Sequence, residues 1–143
     1  MMEAIRGFLG LLDQGEPVSD EALARALDDL ASAYHDTPHG QPSDEPADPP
    51  RDDYKSVRRK AESLFPGLGL YGIADPLEVP NKKAMVGDAI DDITDIARDL
   101  GEVVWRWQVL GADDANWHFR FGYQTHWGRH LHELRFYLHA KQF

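Results

Sequence analysis

The stretch GDAIDDITDIARDLGEVVWRWQVLG, residues 87–111, decides the fold. Val86, Ile90, Ile93, Ala97, Leu100, Val104 and Trp107 recur at spacings of 4, 3, 4, 3, 4 and 3, the period of one face of an α-helix. Ala89, Ile96, Val103 and Leu110 widen that stripe. Gly111 breaks the pattern, and Asp113 or Asp114 offers an N-cap for a further helix running to about His139. Its inner face is Tyr123, Trp127, Leu131, Leu134 and Leu138. So short a break between two long helices makes an antiparallel hairpin.

Toward the N-terminus the same period recurs. Met2, Ile5, Phe8, Leu9 and Leu12 share a helical face that stops at Gly15 and Pro17. Ser19 is an N-cap for a second helix, with Asp20 and Glu21 in its first turn and Leu23, Leu27, Leu30 and Tyr34 as its packing stripe. Asp52 or Asp53 caps a third, carrying Tyr54, Val57, Ala61 and Leu64 and ending at Pro66. Between the second and third helices, residues 36–50 contain five prolines, and Ala47 is the only apolar side chain apart from them. Such a segment cannot offset its own chain entropy by burial and reads as a mobile loop. Gly67–Pro80 mixes three glycines with Leu68, Leu70, Tyr71, Ile73, Leu77 and Val79. It reads as an irregular apolar segment packed on the bundle, with one short extended piece. The expected fold is all-α: a single domain over 1–143, five helices built on the C-terminal hairpin.

Charge and composition limit the function. Lys and Arg number 15 against 25 Asp and Glu, a net charge of −10, which argues against nucleic-acid binding because that requires cations to displace phosphate counterions. With no cysteine there is no thiol nucleophile, disulfide, iron–sulfur cluster or thiolate zinc site. The apolar stretch from Met1 to Leu12 is interrupted by Glu3 and Arg6 and no small-residue cleavage site follows. The expectation is a cytoplasmic protein that neither spans nor binds a membrane. The sequence GLGLYG lacks the following Lys-Ser or Lys-Thr of a phosphate loop, and Arg58-Arg59-Lys60 reads as surface charge.

The acidic helix 87–111, together with ANWHFRFGYQTHWGRHLHELRFYLH at 115–139, resembles the C-terminal half of a bacterial family known only as domain-of-unknown-function family 5063. FLGLLDQ (8–14), LARALDDLASAYHDTP (23–38) and YKSVRRKAESLFPGL (54–68) are similar to its N-terminal half. The resemblance implies a small, mainly helical bacterial protein and no particular activity.

Four groups of residues could carry chemistry. Asp88, Asp92, Asp95, Asp99 and Glu102 lie on one face of the acidic helix at spacings of 4, 3, 4 and 3. A helical magnesium site would need a second acidic helix with paired Glu-x-x-Glu spacing, which the chain lacks, so the stripe reads as a solvated face. His126, His130, Glu133 and Tyr137 form a second stripe. Two imidazoles four residues apart can hold a transition metal, but Glu133 is seven residues from His126, about 10 Å along the axis. The expectation is therefore no metal and no cofactor. Instead Asp92 and Asp95 accept hydrogen bonds from the imidazoles, raising their pKa. Arg120 falls on the inward side of its helix and is expected to pair with Glu102 or Asp99, with anion binding as the other possibility. Finally, Trp105 and Phe121 point away from the packing stripes, to be covered by the Leu68–Val79 segment or left as an exposed patch.

The sequence thus points to a non-enzymatic helical interaction or accessory protein with an unidentified protein partner. Contacts to a partner or an anion would fall on Arg120, His126, His130, Glu133 and Tyr137. The alternative is a metal-dependent hydrolase with its site in the bundle. A nucleic-acid mimic, resting on charge alone, ranks last. An enzyme would need a polar concave pocket where carboxylates or histidines from several helices converge; a binding module would need an exposed apolar patch.

Overall fold

A computed structural model describes residues 1–78 and 84–143; Val79 and Pro80 of the expected irregular segment lie outside the described residues. Among the described residues the chain forms six helices and one two-stranded sheet: α1 (Met2–Leu11), α2 (Asp20–Asp36), α3 (Tyr54–Leu64), β1 (Leu70–Ile73), β2 (Met85–Asp88), α4 (Ala89–Val109), α5 (Ala112–Thr125) and α6 (Trp127–Gln142). None of these helices is long and apolar enough to cross a membrane.

Side-chain caps start three helices, those at Ser19 and Asp53 as the sequence implies and one at Asp88 besides. Ser19 accepts from the Ala22 amide at 3.1 Å, Asp53 from Ser56 at 2.9 Å, and Asp88 from Ile90 and Asp91 at 3.0 and 3.4 Å. Each side-chain oxygen satisfies an amide that the first helical turn leaves without a backbone partner. The α5 cap differs from expectation: it is Gly111, with φ 98°. Asp114 lies within the first turn of α5 and is buried.

Helix α4 lies at the centre, packed against α1, α3, α5 and α6. Ile93, Ile96, Leu100 and Val103 bury their side chains there, against a core that includes Ile5, Phe8, Leu27, Leu30, Phe119, Trp127 and Leu131. A central helix has no fully solvated face, which overturns the reading of the acidic stripe as outward-facing. Asp92 is only 3% exposed.

Two elements depart from the five-helix expectation. The first is a hairpin in place of an irregular segment: β1 pairs antiparallel with β2, Tyr71 opposite Gly87 and Ile73 opposite Met85. Val86, expected to begin the helical stripe, is instead an exposed strand residue. The second is the division of the expected last helix into α5 and α6 at His126, whose φ and ψ of −146° and −84° are not helical. Two glycines allow the break. A Cβ on Gly128 would lie 2.2 Å from the Tyr123 carbonyl oxygen, and one on Gly122 would lie 2.8 Å from the Trp127 indole. Backbone and ring therefore approach more closely than any other residue permits, and Trp127 turns fully into the core.

The proline-rich segment is held at its start. The Gln41 amide donates to the Asp113 carbonyl at 3.2 Å, and the Ser43 amide donates to the Asp114 carboxylate at 2.8 Å. Residues 41–43 thus lie along the first turn of α5.

Candidate functional site

The break at His126 puts the start of α6 beside the acidic face of α4. Asp92, Asp95 and Asp99 occupy successive turns of that face, and His126, the residue before α6, and His130 in its first turn face them. The two imidazoles meet edge-on with their centres 5.0 Å apart. His126 Nδ1 lies 2.6 Å from Asp99 Oδ2, and His130 Nδ1 lies 2.7 Å from Asp92 Oδ1. An ionised carboxylate can only accept, so in each pair the imidazole Nδ1–H donates. The hydrogen bond to Asp92 raises the pKa of His130, against an opposing effect of burial.

Asp92 is a buried carboxylate with both oxygens engaged. Its Oδ2 accepts from the Tyr71 hydroxyl at 2.5 Å, so one side chain ties together α4, α6 and the hairpin. Gly87 makes room for this: a Cβ there would meet the Tyr71 ring at 2.7 Å. Burial first, then the bond to Asp92, holds the Tyr71 hydroxyl well above its ordinary pKa and keeps it a donor. Tyr137, from the predicted stripe, stacks on Tyr71 with ring centres 4.7 Å apart.

Both Nδ1 atoms being committed, Nε2 is the nitrogen of each ring with no hydrogen bond among the described residues. His130 Nε2 faces Asp95 Oδ2 at 3.8 Å. One ligand atom each from Asp95, His126 and His130 all lie within 4.8 Å of one another. Burial raises the pKa of Asp95, and the nearby Asp91 carboxylate adds to it, while the two histidines oppose the shift. Such a carboxyl gains from a neighbouring cation.

Around this cluster the polar side chains are tied in pairs. The Tyr54 hydroxyl donates to Asp91, and Arg58 donates to Tyr54 at 3.2 Å and to Asp88 at 2.8 Å. Arg58, expected as surface charge, is therefore a clamp between α3 and the start of α4. Arg106 donates to Glu102 at 2.8 Å and to buried Asp114 at 3.1 Å.

A cleft of about 530 Å³ opens against the cluster. Asp95, Asp99 and Glu102 line one side, Phe121 and His126 another, and Arg51 and Arg98 are also part of its wall. Arg51 Nη2 lies 3.4 Å from Asp99, and Arg98 Nη1 lies 3.9 Å from Asp95.

The remaining predicted residues separate. Arg120 does not pair with Glu102 or Asp99. Its Nη1 donates to the carbonyls of Tyr34 and Thr37 at 2.7 and 2.9 Å, and its guanidinium stacks 4.5 Å over the Tyr34 ring. It caps the negative end of α2. Arg120 meets α2 rather than α4 because α5 also packs on α2, which places the closing turn of α2 under Arg120. Glu133 pairs with Arg129 at 2.7 Å and takes no part in the histidine cluster. Phe121 stacks on Trp117 with centres 4.7 Å apart and stays half exposed rather than lying under the Leu68–Val79 segment. Tyr71, Asp92 and Asp99 complete the site; Tyr71 was missed because strand pairing, not helical spacing, brings it there.

Comparison with known proteins agrees with this architecture. Residues 31–143 match the family described as Domain of unknown function (DUF5063). The crystal structure of protein BF1032 from Bacteroides fragilis is similar over 99% of this chain and 89% of that one, with a TM-score of 0.70 at 16% identity. At that identity the likeness concerns the fold alone. No curated protein matches. The chain belongs to the DUF5063 family, as the two C-terminal segments suggested.

Proposed function

We propose that this family member is a helical metal-binding protein in which His126, His130 and Asp95 hold one divalent transition-metal ion. The observation that supports it is the orientation of both imidazoles. Each Nδ1–H is fixed by a carboxylate, Asp99 at 2.6 Å and Asp92 at 2.7 Å. That is the outer-shell arrangement that turns a histidine's other nitrogen toward a metal and strengthens it as a ligand. Two nitrogens and one carboxylate oxygen suit zinc or another first-row ion and leave a coordination position open. The ligand atoms lie within 4.8 Å of one another, His130 Nε2 and Asp95 Oδ2 at 3.8 Å, against roughly 3.3 Å in a tetrahedral zinc site, so binding draws them in by at most about 1.5 Å. The exposed His126 side chain, at the start of α6, has room for that movement.

This reading revises the expectation of no metal. That expectation required the carboxylates of α4 to face solvent, whereas Asp92 is covered and Asp95 and Asp99 face α6. The polar cleft meets the criterion set for the metal-dependent alternative: a bound ion there would act as a Lewis acid or activate water. A cytoplasmic setting and the absence of nucleic-acid binding remain part of the proposal, the latter supported by the net charge of −10.

The exposed apolar surface favours a second reading, an interaction module. Leu77 is 91% and Phe136 72% exposed, and both line a groove of about 810 Å³ between the hairpin and α6. The test that separates the two is elemental analysis of protein purified without chelator. The metal-binding reading expects close to one transition-metal ion per chain, and a metal content at background level would leave the interaction reading in its place.

A further inference from the structure

We infer that the cleft beside the metal cluster takes an oxyanion, a phosphate or carboxylate group of a small molecule, and does so only once the metal is bound. The inference rests on the metal-binding reading above and adds a ligand class and an order of binding to it.

Charge is the first argument. Asp95, Asp99 and Glu102 in the cleft wall carry −3 and Arg51 and Arg98 carry +2; Arg106, which donates to Glu102, is balanced by buried Asp114, so the sum without metal is −1. An anion has no reason to enter. A divalent ion on Asp95, His126 and His130 changes the sum to +1. In a partly enclosed site that reversal is worth more than in open water, because screening is weaker there.

Geometry is the second. Both arginines are tied to carboxylates that the metal would engage directly or through one histidine. Arg98 reaches Asp95 at 3.9 Å, the edge of ion-pair range, and Asp95 is a proposed metal ligand. Arg51 reaches Asp99 at 3.4 Å, and Asp99 also accepts from His126 at 2.6 Å. A metal drawing on Asp95 weakens the hold on Arg98. Arg51 is itself loosely held, with more than half of its side chain exposed. Arg98 keeps its position meanwhile, since its Nε donates to the Asp52 carbonyl at 3.1 Å. Guanidinium groups near an open coordination position form a mixed site in which one oxygen binds metal and another accepts from arginine. The cleft volume of about 530 Å³ accommodates a small molecule larger than a bare anion.

The experiment uses cobalt(II) as a coloured stand-in and inorganic phosphate as the anion probe, on the full chain. Cobalt is titrated first and followed by visible absorption. Phosphate is then titrated into cobalt-loaded and metal-free protein, by absorption and by calorimetry. The expected result is a phosphate-dependent change in the cobalt spectrum and at least tenfold weaker binding to metal-free protein. Arg51→Ala, a change at an exposed position outside every helix, weakens phosphate binding to the cobalt-loaded protein by roughly tenfold. Acetate in place of phosphate distinguishes the two kinds of oxyanion. Cobalt binding with no response to either anion overturns the inference and leaves the metal-binding reading standing. Equal phosphate affinity with and without metal also overturns it. Failure of cobalt to bind at all overturns both.

Discussion

His130 Nδ1 and Asp92 Oδ1 are 2.7 Å apart, and the second oxygen of Asp92 is held by the Tyr71 hydroxyl at 2.5 Å. A buried carboxylate with two donors has no freedom to turn, so it fixes the ring of His130 and with it the direction of Nε2. Three elements distant in sequence meet at this one side chain.

Asp92→Asn keeps the volume but replaces an acceptor by a donor on one side, so one of its two partners loses its bond. Zinc affinity should fall by about 10–100-fold, the usual effect of losing an oriented outer-shell carboxylate. Calorimetric titration of the folded variant measures this, and unchanged affinity would separate Asp92 from the site.

Arg120→Ala should destabilise the protein by about 2 kcal/mol, a loss of several degrees in the unfolding midpoint. It strands two carbonyls at the end of α2 and removes the stack on Tyr34. Because Arg120 touches neither His126 nor His130, metal affinity should stay within twofold. Thermal unfolding and zinc titration of the same sample test both halves.

Gly128→Ala should cost about 2–3 kcal/mol, since its new methyl would collide with the Tyr123 carbonyl, 2.2 Å from the Cβ position. The collision pushes the start of α6 away from α5 and moves both histidines. Stability and metal affinity should therefore fall together, unlike the Arg120 case.

Acid should weaken the junction of α3 and α4 through Asp88. Burial works to raise its pKa, but the Arg58 guanidinium and the amides of Asp91 and Ile90 prevail and hold it below the usual 3.8. A carboxyl with a folded pKa below its unfolded one stabilises fully above the unfolded value. That contribution is lost as pH falls through the folded value. Asp88→Asn retains the helix cap and removes the ionisation, so it should be less stable than wild type at pH 6, and the gap should narrow below about pH 3.8. Denaturant titrations at several pH values measure the gap, and a constant gap would contradict the assignment.

Much of this architecture was legible in the residues, for identifiable reasons. The 4, 3, 4 spacing of Ile90, Ile93, Ala97 and Leu100 places α4, and Ser19 and Asp53 mark helix starts by the chemistry of their oxygens. The hairpin implies imidazoles bonded to Asp92 and Asp95; His130 does bond Asp92, whereas His126 bonds Asp99 and Asp95 stays 3.8 Å from His130 Nε2. What escaped was whatever depended on a third element. The acidic stripe looked solvated because helical spacing gives directions relative to the helix's own apolar face, and says nothing of α3 and the hairpin packing on the other side. Arg120 found α2 instead of α4 for the same reason. The division of α5 from α6 had a local signal, two glycines flanking Trp127 in a helical run, whose meaning appears only with the ring packed over them.

The proposed metal centre is tested most directly by calorimetric titration of zinc into the wild-type chain and into a variant with His126→Ala and His130→Ala. The account predicts one ion bound per wild-type chain and loss of that binding in the double variant, with its fold intact by circular dichroism. No heat of binding to the wild type, or equal binding to the double variant, would contradict it.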